Sequence, residues 1–206
     1  MFTGIVEGVA KVKSFEEKKS AYLLQIDVSE QIAKSLNIGD SLACNGCCLT
    51  VVSLQENIAS FELLEESVRL TNFSEIKVAS IINVERPLAA DARLGGHFVS
   101  GHIDTKGKVE VFEQIGKNYY LKVSFANEFS KYAVYKGSIA IDGISLTIAE
   151  AKDNTLSVWL IPHTLDVTNL SARKVGESVN LEFDILAKYI EKIALNERKD
   201  SPYQEL

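Results

Sequence analysis

Apolar and polar residues alternate in short runs along much of the chain. Tyr22, Leu24, Ile26 and Val28 fall at every second position, and so do Tyr119, Leu121, Val123 and Phe125. Phe61 with Leu63, and Ile82 with Val84, alternate likewise. A period of two is that of a strand with one buried face. Asn45-Gly46 and Asp142-Gly143 each separate two apolar runs. Both pairs tolerate positive φ, so each predicts a tight primed hairpin turn. Ser29–Leu36 and Asn127–Val134 read as short helices. Several short strands with one small helix predict a mainly β fold closed into a barrel, which leaves no sheet edge open; an open two-layer sandwich is the alternative.

The strand signals occur twice. From Gly46 to Gly143 the offset is 143 − 46 = 97, and the same offset aligns Leu49-Thr50 with Leu146-Thr147 and Thr71-Asn72 with Thr168-Asn169. It also aligns Asn83 with Asn180, Glu85 with Glu182, and Gly4 with Gly101, without a gap. About two dozen of some 85 pairs are identical, which marks two duplicated domains rather than a solenoid. The first barrel is expected within residues 1–97 and the second within 98–183. Pro87 to Gly96, PLAADARLGG, reads as the linker. After residue 183 the period changes. Asp184 can cap a helix within 184–206 whose apolar residues fall at Ile185, Leu186, Tyr189, Ile190 and Ile193. Such a one-sided stripe covers its own barrel or meets a partner chain, and a role in oligomerisation is the favoured reading.

Composition narrows the function classes. The 206 residues are 46% hydrophobic and 24% charged, which excludes disordered, collagen-like and coiled-coil chains. The net charge is −6, from 22 basic and 28 acidic residues, so the electrostatic footprint of a nucleic-acid binder is missing. No apolar run is long enough to span a membrane as a helix. The opening MFTGIVEGVAKV lacks a basic region followed by a long apolar one, so no signal peptide is expected.

Cys44, Cys47 and Cys48 lie within five positions. An odd number in one cluster is no disulfide framework, and no second Cys or His pair follows to complete a zinc site. Cys44 and Cys47 are expected as small buried apolar side chains, and all three suit a reducing cytosol. The two halves differ at Phe2/Val99, Ile5/His102, Gly39/Lys136, Cys48/Ser145 and Glu66/His163. Turn and framework residues are thus shared while polar and reactive residues are divided. Two like ligands, held alike but treated differently, would require this division.

Four stretches carry a resemblance: MFTGIVEG, GDSLACNGCCLTVV (Gly39–Val52), LGGHFVSGHIDTKG (Leu94–Gly107) and KGSIAIDGISLTIAE (Lys136–Glu150). Their sequence and order resemble the riboflavin synthase alpha-chain family over the whole chain. The resemblance implies two six-stranded Greek-key β-barrels plus a C-terminal helix, assembled as a cytoplasmic homotrimer. It implies dismutation of two molecules of 6,7-dimethyl-8-ribityllumazine, one giving a four-carbon unit to the other, with no metal, redox cofactor or nucleotide. Each barrel would bind one lumazine, and the reacting pair would meet where the N-barrel of one subunit faces the C-barrel of another. Association with lumazine synthase, and which barrel holds the donor, stay open.

The resemblance also assigns roles. His102 would be the general base, as imidazoles commonly are. Cys48 would be the nucleophile, or the group that positions it, at C7 of the acceptor. Ser41 would hydrogen-bond to substrate or nucleophile, and Phe2 would stack on or shape the pteridine site. Substrate would be held by matched segments: Gly4, Ile5 and Val6 with Gly101, His102 and Ile103; Cys48, Leu49 and Thr50 with Ser145, Leu146 and Thr147. The third pair is Glu62, Leu63, Leu64, Glu65, Glu66 and Ser67 with Ile161, Pro162, His163, Thr164, Leu165 and Asp166. Lys136 would add a contact in the second half, and His97 reads as structural. A lumazine- or flavin-binding antenna protein of the same fold is the alternative.

Overall fold

A computed structural model describes residues 1–19 and 21–199. Its first six strands are β1 (Gly8–Glu17), β2 (Tyr22–Asp27), β3 (Ser41–Cys44), β4 (Cys47–Gln55), β5 (Ile58–Leu63) and β6 (Ile81–Glu85). The next six are β7 (Thr105–Ile115), β8 (Asn118–Ser124), β9 (Ser138–Ile141), β10 (Ile144–Lys152), β11 (Thr155–Leu160) and β12 (Ser178–Phe183). Each set closes into an antiparallel barrel, in the order β1-β2-β5-β4-β3-β6 and, six strands on, β7-β8-β11-β10-β9-β12. In each, three hairpin-linked strands are followed by pairing of the last with an earlier strand, β5 with β2 and β11 with β8, which is a Greek key. The sandwich alternative is therefore set aside.

The alternation predicted from the sequence becomes the inside and outside of the barrels. Val12, Leu24, Ile26, Leu42, Phe61 and Ile82 fill the first barrel, and Leu121, Val123, Ile139, Ile148, Val158 and Leu181 the second, all with essentially no exposed surface. Register slips by one residue between Val12 and Ser14 and between Val51 and Ser53, and again 97 residues later at Val109/Val111 and Ile148/Glu150. Bulges sharpen local bend and twist, which a six-stranded sheet needs to close.

Both predicted hairpin turns form. Asn45 and Gly46 have φ of 46° and 78°, and Asp142 and Gly143 have 47° and 80°. The two turns meet at the pseudo-twofold axis: a Cβ on Gly46 would lie 2.7 Å from the Gly143 nitrogen. Around them runs a buried amide network. Asn72 donates to Asp142 at 2.9 Å, Asn83 to Asn169 at 2.9 Å, and Asn180 to the Asn45 carbonyl at 2.9 Å. Arg173 closes it in the second half with two donors to Asp142 Oδ2, at 3.1 and 2.7 Å. The matched positions in the first half are the neutral Asn45 and Ile76.

The helices are shorter than expected. Ser29–Leu36 contains only α1 (Glu30–Ala33), capped by Ser29, and Asn127–Val134 contains a 3-10 turn at Asn127–Tyr132. Two further short helices, α2 (Glu65–Leu70) and α3 (Pro162–Val167), stand at matched positions. The terminal helix α4 (Ile185–Lys199) begins where Asp184 accepts from Leu186 N at 3.0 Å. Residues 200–206 of the expected helical region lie outside the described residues. Its polar residues tie it to the second barrel: Lys188 pairs with Asp104 at 2.7 Å, and Glu191 with Lys131 and Tyr132. Leu186, Tyr189, Ile190 and Ile193 remain 56–67% exposed, so its own barrel does not cover the apolar stripe.

Candidate active site

The site begins with an exchange between halves. Gly4-Ile5-Val6 belongs to the first half, yet Val6 packs against the core of the second barrel. Gly101-His102-Ile103 belongs to the second half, yet Ile103 packs against the core of the first. Each exchange is pinned by one backbone bond: Cys48 N donates to Gly101 O at 2.8 Å, and Ser145 N to Gly4 O at 2.8 Å. Both glycines are in the left-handed region, with φ of 75° and 82°. A Cβ on Gly4 would lie 2.6 Å from Ser145 Cβ, and one on Gly101 would lie 2.6 Å from Cys48 Cβ. Only glycine combines that φ with so close an approach.

A buried carboxylate holds each exchanged segment. Glu182 Oε1 accepts from Ser100 N and Ser100 Oγ, both at 2.6 Å, and Oε2 from Gly101 N at 2.9 Å. Glu85 does the same for Thr3 N and Oγ, both at 2.7 Å, and for Gly4 N at 3.0 Å. Burial pushes both carboxyls above the usual glutamate range, and the donors only partly offset it. The signal for both in the sequence is their identity at matched positions, 97 residues apart.

On the first barrel the exchange brings Cys48 and His102 into one cleft of about 250 Å³, although they come from opposite halves. Glu66, Ser67, Leu70 and Thr71 form its opposite wall. His102 is exposed, and Cys48 is half-buried. Cys44 and Cys47 face each other across the hairpin and are buried; burial raises both thiols, Cys47 to about 12. Cys47 and Cys48 both line the cleft, but Cys47 is buried and its thiol is raised, so Cys48 is the more accessible of the two. Ser41 lies opposite Thr50, two residues along the same outer face of β3 as Ala43, the partner of Cys48, and falls outside the cleft lining.

On the second barrel Ser145 takes the place of Cys48. His97 Nδ1 lies 2.7 Å from its hydroxyl, while His97 Nε2 is buried with no hydrogen-bond partner among the described residues. Burial lowers the His97 imidazole below its usual value, against an opposing pull from Asp184.

The remaining expected site residues divide by burial. Leu49 and Leu63 lie in the first core, and Leu165 in the second, so these three contribute backbone rather than side chain to any ligand. Leu146 is half-buried against the second core. Thr50, Glu62, Leu64 and Glu65 are exposed around the first barrel; Thr147, Ile161, Pro162, His163 and Asp166 around the second; Thr164 is half-exposed. Ile5 is 51% exposed. Lys136 is exposed and, unlike its glycine twin, is a side-chain-bearing residue held at φ of 63°.

For Phe2 the expectation was that it stacks on the pteridine site or shapes it; the ring has no exposed surface, which leaves shaping the site from behind Cys48 rather than stacking. Phe2 N donates to Val99 O at 2.7 Å, and the ring packs with Val99, Ala43, Ala140 and Cys48 between the barrels. Barrel association encloses the ring, a tertiary effect that its position beside the N-terminus does not reveal.

Comparison with known proteins agrees with this architecture. A family model described as "Lumazine binding domain" matches residues 3–87 and again 100–184. Riboflavin synthase of Actinobacillus pleuropneumoniae is 38% identical over 206 residues, covering 100% of this chain and 95% of that one. Riboflavin synthase of Escherichia coli (strain K12) is 41% identical over 186 residues, 89% and 87% of the respective chains. The crystal structure of LumP complexed with 6,7-dimethyl-8-(1'-D-ribityl) lumazine superposes with a TM-score of 0.81 at 23% identity, over 89% of this chain and 99% of that chain, and shares the fold. By duplication, coverage and identity together, this chain belongs to the riboflavin synthase family of lumazine binding domain proteins.

Proposed function

We propose that the protein dismutates two molecules of 6,7-dimethyl-8-ribityllumazine to riboflavin and 5-amino-6-(D-ribitylamino)uracil. The observation that carries this reading is the meeting of Cys48 and His102 in one cleft, beside a matched second site equipped with Ser145. The four-carbon unit lost by one lumazine is gained by the other, so no outside oxidant or carbon donor enters. The C7 methyl of the substrate is acidic because its carbanion delocalises into the ring. A weak base is enough, and His102 supplies it at the cleft edge. Cys48, or a water or ribityl hydroxyl that it positions, adds to C7 of the acceptor. Ser41 supplies a hydrogen bond beside Thr50, and the paired backbone segments hold the heterocycle edges.

Orientation of the two copies contributes most, up to about 7–11 kcal/mol for well-placed reacting groups. A cleft of about 250 Å³ is smaller than the roughly 300–1,000 Å³ of complete small-molecule sites. This supports completion of the site by the second barrel of another subunit. The exposed stripe of α4 supports assembly of such subunits, read here as a homotrimer in the cytoplasm.

Mixing the purified protein with 6,7-dimethyl-8-ribityllumazine tests the reading. Catalytic formation of riboflavin fluorescence is expected. A stoichiometric bound fluorophore without turnover would mean an antenna protein, and neither signal would mean a scaffold.

A further inference from the structure

Glu182 sits on β12 of the second barrel, but its three hydrogen bonds do not serve that barrel's interior. They bind Ser100 and Gly101, and the Gly101 carbonyl in turn receives Cys48 N. His102 follows directly, and its own N–H reaches Ser100 Oγ at 3.3 Å. Glu85 on β6 repeats the arrangement toward Thr3, Gly4 and then Ser145 of the opposite barrel. Both carboxylates have lost most of their water, so their remaining bonds are charge-assisted and directional.

We propose that Glu182 and Glu85 are crossed positioning residues: Glu182 sets Cys48 and His102 in the cleft of the first barrel, and Glu85 sets Ser145 at the matched position of the second. Neither touches a reacting atom. Each fixes a left-handed glycine turn whose carbonyl dictates where the neighbouring barrel's reactive side chain begins. The inference deepens the lumazine reading and rests on it for the role of His102.

The test pairs each glutamate with one site. Glu182→Gln keeps the shape but turns an amide NH2 toward backbone donors, so kcat is expected to fall by about 10- to 100-fold with a smaller change in KM. In a His102→Gln background the same change is expected to cost severalfold less, because one of the two groups it places is gone. Glu85→Gln is expected to multiply with His102→Gln to within about twofold, as independent sites do. Equal cost of Glu182→Gln in both backgrounds would overturn the proposal.

A second readout needs no turnover. Modification of Cys48 by 5,5′-dithiobis(2-nitrobenzoate) is expected to change in rate by about threefold or more in Glu182→Gln, and not in Glu85→Gln. Equal responses of the two variants would also overturn the proposal. A wild-type protein that shows this selective response but makes no riboflavin would refute the lumazine reading and leave the crossed positioning standing. Where Glu182→Gln fails to fold, as thermal unfolding will reveal, Ser100→Ala removes one of the three bonds and takes its place against Thr3→Ala.

Discussion

The matched sites of the two barrels share a frame and differ in contents. Both have an exchanged glycine segment, a buried glutamate behind it and a hairpin turn ending in a touching glycine. Where the first offers Cys48, His102 and Glu66, the second has Ser145, Ile5 and His163 at the matched positions. His97 bonds to Ser145 in the second. The shared residues hold backbone, and the divided ones carry chemistry. A duplicated protein can change a reactive side chain freely only where the backbone beneath it is pinned independently, and here that pin comes from the other half.

The largest effect tests whether the division matters. His102→Ile installs the residue of the matched first-half position and removes the proposed base. Turnover is expected to fall by about 100- to 10,000-fold, while lumazine affinity changes far less. Steady-state rates beside equilibrium titration check this, and unchanged turnover would take His102 out of the base role.

A smaller effect tests the contact of His97 with Ser145 in the second half. Burial lowers the folded-state value of His97 below 6.5, so the folded protein binds fewer protons than the unfolded chain between the two values. The stability that His97 contributes is complete above the unfolded value and is lost as pH falls through the folded one. His97→Asn should flatten that part of the stability curve and cost about 1 kcal/mol at neutral pH through the lost Ser145 bond. Denaturant unfolding between mildly acidic and neutral pH measures both. A wild-type curve no steeper than that of the variant would show that the buried imidazole does not titrate as described.

The smallest effect concerns Lys136, held in the left-handed region where the first half has Gly39. Lys136→Gly is expected to stabilise the fold by about 1 kcal/mol, since non-glycine residues are strained there. If Lys136 contacts substrate, the same variant will bind lumazine more weakly. Higher melting temperature together with weaker binding would mark a strain retained for the ligand. Higher melting temperature with unchanged binding would leave Lys136 outside the site.

Much of this was legible in the residues. Alternation at Tyr22–Val28 and its copy reported strands because burial on one face demands period two. Asn45-Gly46 and Asp142-Gly143 reported their turns because positive φ admits few residue types. The offset of 97 aligned Glu85 with Glu182 and Gly4 with Gly101, and the resemblance pointed to Cys48 and His102. The short helices were overestimated, since a few turn-forming residues suffice for α1 and for the 3-10 turn at Asn127–Tyr132. The burial of Phe2 was not legible, because a terminal aromatic gives no local sign of whether a second barrel will close over it.

The sequence by itself determined that there are two duplicated β domains, where their turns fall, and which residue types each half keeps or changes. Those features are written in local period, backbone conformation and internal repetition. Only the tertiary structure decided that Val6 completes the second core and Ile103 the first, and hence that Cys48 faces His102. A segment docked on its own barrel and one docked on its twin have the same alternation, glycine and alignment. The choice between them lies in contacts across 80 or more residues, such as Glu182 with Gly101, which leave no local pattern.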